Sequence, residues 1–94
     1  MPSHHRIPLA DALVAICEEI VVAGKPLEIW AAEESDDQFQ RSEFCGGFDA
    51  TEGEFTFSYY APHGVEYWFQ LSLEQVGQVA QGMEVQIDGR EAST

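Results

Sequence analysis

Basic residues are scarce in this sequence. Lysine and arginine together number 4, whereas aspartate and glutamate number 17, so the formal net charge is −13 at pH 7. Such a charge repels phosphate groups and anionic lipid, which argues against direct binding to nucleic acid or to a membrane surface. It favours encounter with a protein that has a basic surface.

Cysteine is also rare, since Cys17 and Cys45 are the only two. Two cysteines are too few for a disulfide framework, and we expect both thiols to be reduced in a cytoplasmic protein. No CxxC or HxxxH spacing is present, and the acidic stretch lacks the central glycine of a calcium loop. The sequence therefore predicts neither a metal site nor a cofactor.

Long apolar runs are missing as well. The apolar segment near the N-terminus is interrupted by Asp11, Glu18 and Glu19, which is atypical of a signal peptide. No segment approaches the ~18 apolar residues that a membrane span needs. The sequence predicts a soluble, cytoplasmic protein with no membrane partner.

Internal repeats, low-complexity tracts and linkers are absent too, so residues 1–94 are interpreted as a single domain. A chain of this length buries roughly 60–65% of its unfolded surface, enough for one modest core. We expect flexible tails at residues 1–7 and 90–94, with His4 and His5 exposed to solvent.

Two helices are predicted from apolar spacing and end signals. The first covers about residues 9–23, where apolar residues recur every three or four positions and Gly24 and Pro26 follow. The second follows Ser72, with Gln75 placed to complete a capping box, and ends at Gly82. Its expected apolar stripe is Leu73, Val76, Val79 and Ala80.

Strands are predicted from alternation. The clearest signal is a hairpin in which two aromatic strands, residues 54–60 and 65–71, flank a Pro- and Gly-containing turn. Weaker strands are expected at residues 26–33, 41–48 and 83–88, and Gly46 and Gly47 suggest a bulge or bend. The predicted fold is α+β, a three- to five-stranded, mostly antiparallel sheet with two helices packed on one face.

No arrangement of residues predicts catalysis. Cys17 falls on the apolar stripe of the first helix, and His63 lies in the hairpin turn. Acids are abundant, but general acid–base chemistry needs a desolvated acid in a cleft, and nothing in the sequence indicates one. We expect no enzymatic activity and no catalytic residues.

Aromatic residues predict an interaction surface instead. Alternation places Tyr60 and Trp68 on the hairpin face opposite the core, and the strand assigned to residues 26–33 places Trp30 beside them. If helices cover one face only, all three stand on the open face, and Tyr and Trp are favoured interface anchors. Cover by another segment of the chain, or by a second copy of it, is the alternative.

The acids are concentrated in one part of the chain. Residues 33–54 hold eight acids against Arg41 alone, a net charge of −7 and more than half of the total. Acids that serve only solubility would be spread evenly over the surface, which does not predict this concentration. An acidic patch that guides the protein to a Lys/Arg-lined channel of a partner does predict it. The acidic partner-binding candidates are Glu33, Glu34, Asp36, Asp37, Glu43, Asp49, Glu52 and Glu54.

Small acidic α/β proteins of this kind generically resemble inhibitors of nucleic-acid enzymes, such as immunity proteins for nuclease toxins and phage or plasmid proteins that block restriction or CRISPR systems. The leading hypothesis is a non-enzymatic inhibitor or adaptor that mimics nucleic acid on the basic surface of a nucleic-acid-binding protein. The alternative is an accessory protein that forms a homodimer through its open sheet face, its acidity serving only solubility. A third hypothesis is a small enzyme or ligand-binding domain with a pocket between the sheet and the first helix.

Overall fold

The computed structural model describes residues 4–33 and 37–92, and within these ranges the chain forms six strands and three helices. The strands are β1 (His4–Arg6), β2 (Phe39–Arg41), β3 (Phe44–Asp49), β4 (Glu54–Tyr60), β5 (Glu66–Leu71) and β6 (Asp88–Glu91). The helices are α1 (Asp11–Ala23), α2 (Leu27–Ala32) and α3 (Leu73–Ala80). All pairings are antiparallel, in the order β1-β6-β5-β4-β3-β2. The α+β class is confirmed, with one more strand and one more helix than the sequence predicted.

The predicted hairpin is β4 and β5, and it forms the centre of the sheet. Its inner face carries cross-strand aromatic pairs, of which Phe57 opposite Phe69 is the most closely stacked, with ring centroids 4.9 Å apart and planes 6° from parallel. The expected core positions of both strands are buried except Val65, which is partly buried. Strict alternation thus placed the core correctly, because a half-buried strand turns every second side chain inward.

Helices α1 and α3 pack against each other and cover this inner face. Helix α1 ends at Gly24, which adopts the left-handed conformation predicted for it (φ 56°). Helix α3 begins with the predicted capping box, in which the Gln75 backbone N–H donates to Ser72 Oγ at 3.2 Å and the Ser72 N–H donates to Gln75 Oε1 at 2.9 Å. None of the helices in the described ranges is long and apolar enough to cross a membrane.

One member of the predicted α3 stripe is not in the core. Val76 and Val79 are buried and Ala80 is partly buried, but Leu73 is exposed. Leu73 is the first residue of the helix, directly after the Ser72 cap. At that position its side chain lies beyond the surface that the rest of α3 buries.

The segment expected to be the first strand is helical instead. Pro26 precedes the six-residue α2, which points Trp30 into the core and leaves Ile29 exposed. Alternation of Leu27, Ile29 and Ala31 suggested a strand, whereas the three-residue step from Leu27 to Trp30 is the spacing that the structure uses. A short apolar run carries both patterns, so its periodicity does not decide between them.

The expected flexible tails are partly ordered into strands. β1 pairs with β6 over residues 4–6 and 88–90, and His5 is half-buried with its ring stacked on Tyr67 at 4.4 Å. Ile7 anchors this segment in the core, where a side chain at Gly89 would collide with it: a Cβ there would lie 2.6 Å from Ile7 Cδ1. The prediction of tails at residues 4–7 and 90–91 is therefore wrong, while residues 1–3 and 93–94 lie outside the described ranges.

The last predicted strand is shifted along the chain. Residues 83–87 are not a strand; Met83 is exposed, and its N–H donates to Gln78 O at 3.0 Å at the end of α3. Ile87 is buried as expected, and its carbonyl accepts from the Ile7 N–H at 2.9 Å. β6 begins only at Asp88, which pairs with Arg6 of β1, and its pairing with β5 follows at Arg90 and Glu91.

Gly46 does not form the expected bulge. β3 pairs with β4 residue for residue from Phe44 to Asp49. The glycine is required by close approach instead, since a Cβ there would lie 2.0 Å from the backbone oxygen of Thr56. Close contact between backbones is the other established role of glycine within strands.

Candidate functional site

The candidate site is the outer face of the sheet, on the side opposite the helices. Its side chains are the alternate positions of β3, β4 and β5, which the register arranges in rows across the strands. The central row joins Cys45, Ser58 and Trp68 and continues to Arg90 on β6. The row of Tyr60 and Glu66 lies on one side of it, and the row of Gly47, Thr56 and Gln70 lies on the other, followed by Asp49 with Glu54 at the end of the face.

Two aromatic side chains dominate this face. Trp68 is 54% exposed and Tyr60 is 51% exposed, as the alternation predicted. The Trp68 indole donates from Nε1 to Glu66 Oε2 at 2.9 Å, which restrains the ring while leaving much of it in solvent. An exposed, restrained tryptophan provides a large contact area at little cost in side-chain entropy.

Tyr60 and Cys45 share a negatively charged environment. The Glu66 carboxylate is the main cause of a raised pKa at Tyr60, followed by Cys45. Burial is the main cause of a raised pKa at Cys45, and the neighbouring Asp37 carboxylate raises it further. Both groups therefore stay protonated and neutral near pH 7, and the Cys45 thiol is a weak nucleophile because the thiolate is the reactive form.

A groove of about 600 Å³ lies between Trp68 and the edge of β3. Its lining includes the small residues Gly46, Gly47, Thr56 and Ser58, and three of the predicted acids, Glu33, Asp37 and Asp49. The structure thus brings these three acids to one side of Trp68, although they are up to 16 positions apart in sequence.

The other predicted acids are distributed differently. Glu54 pairs in register with Asp49 at the end of the face, and Glu52 is exposed in the turn that follows Asp49. Glu43 lies in the turn between β2 and β3, where its carboxylate accepts a hydrogen bond from Ser42 Oγ. Glu34 and Asp36 lie outside the described residues.

Trp30 does not belong to this face, which corrects its assignment as a partner-binding residue. It is only 6% exposed and packs edge-to-face on Phe55 with ring centroids 5.6 Å apart. Lys25 Nζ lies 3.7 Å from the centre of its ring, and Gln38 Nε2 donates to its carbonyl at 2.7 Å. The error follows directly from the strand assigned to residues 26–33.

The charges on the outer face are unevenly divided. Acids occupy the β3–β4–β5 side, whereas Arg90 and Arg6 lie on β6 and β1, with Arg6 Nε 3.7 Å from Asp88 Oδ1. The other two bases pair with acids, Lys25 with Glu33 of the groove lining and Arg41 with Glu19 on α1. Asp37, Asp49, Glu54 and Glu66 therefore set the sign of the field around Trp68.

Sequence reasoning missed two members of the face. Glu66 and Arg90 lie on either side of Trp68, one bonded to its indole and the other opposite it in register. The signal for Glu66 was available, because it alternates with Trp68 and Gln70 on one strand. Arg90 was assigned to a tail, so its position required knowledge that β6 joins the sheet.

The face offers groups for binding: an aromatic surface, carboxylates and hydroxyls along a shallow groove. Over residues 4–33 and 37–92, no cluster of three or more His, Cys, Asp or Glu side chains is arranged to hold a metal ion. No protein-family model, curated protein or solved structure significantly matches this chain.

Proposed function

We propose that this protein is a non-enzymatic inhibitor or adaptor that docks its acidic outer face on the basic surface of a nucleic-acid-handling protein. In this proposal it acts in the cytoplasm as a nucleic-acid mimic, in the manner of anti-CRISPR, anti-restriction or nuclease-immunity proteins. It binds neither nucleic acid nor membrane itself and uses no cofactor. The observation that carries the proposal is the exposed pair Trp68 and Tyr60 on a face whose surrounding acids are Asp37, Asp49, Glu54 and Glu66.

Two features of the face support this function. The aromatic residues supply contact area at the centre, where binding energy is usually concentrated. The carboxylates around them accelerate encounter with a basic partner and disfavour acidic ones. Apart from Asp37, which precedes β2, these residues lie on strands of a well-packed sheet, so most of the surface is held in shape before a partner arrives.

The test is displacement of labelled DNA or RNA from purified nucleic-acid enzymes, including a restriction endonuclease, a CRISPR effector and a nuclease toxin. The face variant combines Asp37→Asn, Asp49→Asn and Glu54→Gln. The control variant combines Glu18→Gln, Glu28→Gln and Glu74→Gln, three exposed acids on the helices, and changes the net charge equally.

The wild-type chain should displace nucleic acid from at least one enzyme. The face variant should be weaker by about tenfold at low salt, mainly through a slower association rate, while the control variant changes little. The difference should shrink as NaCl rises from about 50 to about 500 mM, because exposed charges are screened. Failure to displace nucleic acid from any enzyme, or equal losses in both variants, would contradict the proposal.

The uneven charge of the face favours a second candidate, the homodimeric accessory protein. In a two-fold dimer, the acidic side of one face would meet Arg90 and Arg6 of the other. Analytical ultracentrifugation over a salt series distinguishes the two candidates. A dimer that Arg90→Glu dissociates and that buries Trp68 supports the accessory protein, whereas a monomer at all concentrations eliminates it.

A further inference from the structure

We infer that the groove beside Trp68 takes an arginine side chain from an extended basic segment of the partner, in preference to lysine. This inference rests on the proposed function and names the chemistry that the outer face recognises. The groove is lined by acids and by none of the described bases, whereas the cavity on the other side of Trp68 is bordered by Arg90 as well as by Glu54 and Asp88. A cation therefore meets less opposing charge on the β3 side of the ring.

The exposed ring of Trp68 favours arginine. Trp68 is held by its hydrogen bond to Glu66 and remains 54% exposed. Tryptophan is the best aromatic acceptor of a cation, and a guanidinium also stacks its plane on the ring, which an ammonium group does not. A contact between a cation and a tryptophan ring is already present elsewhere in the molecule, where the Lys25 ammonium group lies over Trp30.

The hydrogen-bond acceptors of the groove also favour arginine. Asp37 and Asp49 line the groove together with the hydroxyl groups of Thr56 and Ser58. Asp49 accepts from the turn N–H groups of Thr51 and Glu52 through Oδ1, which orients its carboxylate. Within the groove, the planar guanidinium of arginine can donate two bonds to one carboxylate, whereas the ammonium of lysine makes point contacts.

The floor of the groove leaves room for a long side chain. Gly46 and Gly47 bring no side chain into it, and Thr56 and Ser58 are small. The open space therefore lies between an aromatic wall and a carboxylate rim, which suits a long side chain with a flat charged end.

The experiment measures binding of two fluorescent peptides by anisotropy. One alternates arginine with glycine and the other alternates lysine with glycine, at equal length and charge. Wild type should bind the arginine peptide about three- to tenfold more tightly than the lysine peptide at low salt. The proteins compared are wild type, Trp68→Leu, Trp68→Tyr and the face variant Asp37→Asn/Asp49→Asn/Glu54→Gln, each checked for folding by circular dichroism.

Trp68→Leu, which keeps an apolar side chain but removes the ring, should lose the preference for arginine. Trp68→Tyr should retain part of it, because an aromatic face is still present. The face variant should bind both peptides more weakly than wild type.

Equal affinity for the two peptides, with binding that the face variant weakens, would overturn the arginine inference and leave the proposed function standing. A preference that survives in folded Trp68→Leu would also overturn it. Absence of binding to either peptide would overturn it too, and the displacement experiment above would then decide the proposed function separately.

Discussion

The two tryptophans of this protein show how differently its two sheet faces are built. Trp30 lies in the helical layer, 6% exposed, against Phe55 and beneath Lys25, whereas Trp68 lies on the outer face, 54% exposed, with Glu66 bonded to its indole. The inner environment uses the ring to fill the core, and the outer one holds the ring in solvent. The same residue type therefore contributes to stability on one side and is available for recognition on the other.

The largest expected difference between the faces is in stability. Trp30→Ala removes a buried aromatic side chain and should lower the free energy of unfolding by about 3–5 kcal/mol, a large part of the total for a domain of this size. Trp68→Ala removes a half-exposed ring and one exposed hydrogen bond, so it should cost less than about 1 kcal/mol. Urea denaturation followed by circular dichroism measures both values.

Similar losses from the two changes would show that the outer face is also a packed surface. That result would remove the main support for a partner-binding role, because Trp68 would then be explained by stability alone.

The sequence was informative where one local pattern determined one structure. The β4–β5 hairpin has strict alternation over both strands, and α3 begins at an unambiguous capping box, so their positions and the burial of Phe57, Phe69 and Val76 could be predicted. Tyr60 and Trp68 on the open face follow from the same alternation.

Where the sequence misled, a long-range contact decided the outcome. Residues 4–6 form a strand only because β6 lies beside them and Ile7 enters the core, contacts that local spacing does not contain. Residues 27–32 carry both helical and strand spacing, and burial of Trp30 against Phe55 favours the helix. The groove likewise joins Asp37 and Asp49 to Trp68 through strand pairing across the sheet.

The next difference concerns the two thiols, which are both buried and unbridged. Burial of the Cys17 side chain in the core raises its pKa to about 12. Cys45 is 9% exposed on the outer face, and its pKa is raised first by burial and then by the Asp37 carboxylate. At pH 8, a thiol-specific reagent such as DTNB should modify Cys45 first and Cys17 only when the chain opens.

The sign of the Asp37 effect can be tested directly. Removing the carboxylate in Asp37→Asn should lower the pKa of Cys45 toward its ordinary value, so that more thiolate is present at a given pH and labelling is faster. At a pH below the pKa, the rate should rise tenfold for each unit by which the pKa falls. In wild type the rate should keep rising as the pH increases above 9. Single Cys17→Ala and Cys45→Ala variants assign the two phases, and an unchanged rate in Asp37→Asn would show that access, rather than charge, limits the reaction.

The smallest expected effect separates local charge from net charge on the two sides of the sheet. Glu54 lies directly opposite Asp49 across β3 and β4, and like charges at such positions are destabilising. Glu19 instead forms an ion pair with Arg41 on the helical side. Glu54→Gln should therefore raise the free energy of unfolding by about 0.2–0.5 kcal/mol, while Glu19→Gln should leave it unchanged or lower it by a similar amount.

Both changes remove one negative charge, so a general relief of self-repulsion predicts the same increase for each. Thermal and urea unfolding at about 20 mM and about 500 mM NaCl would show whether the two shifts differ in sign at low salt and converge at high salt. Equal stabilisation by both variants would mean that the net charge of −13 dominates and that the arrangement of acids on the outer face has no separate energetic effect.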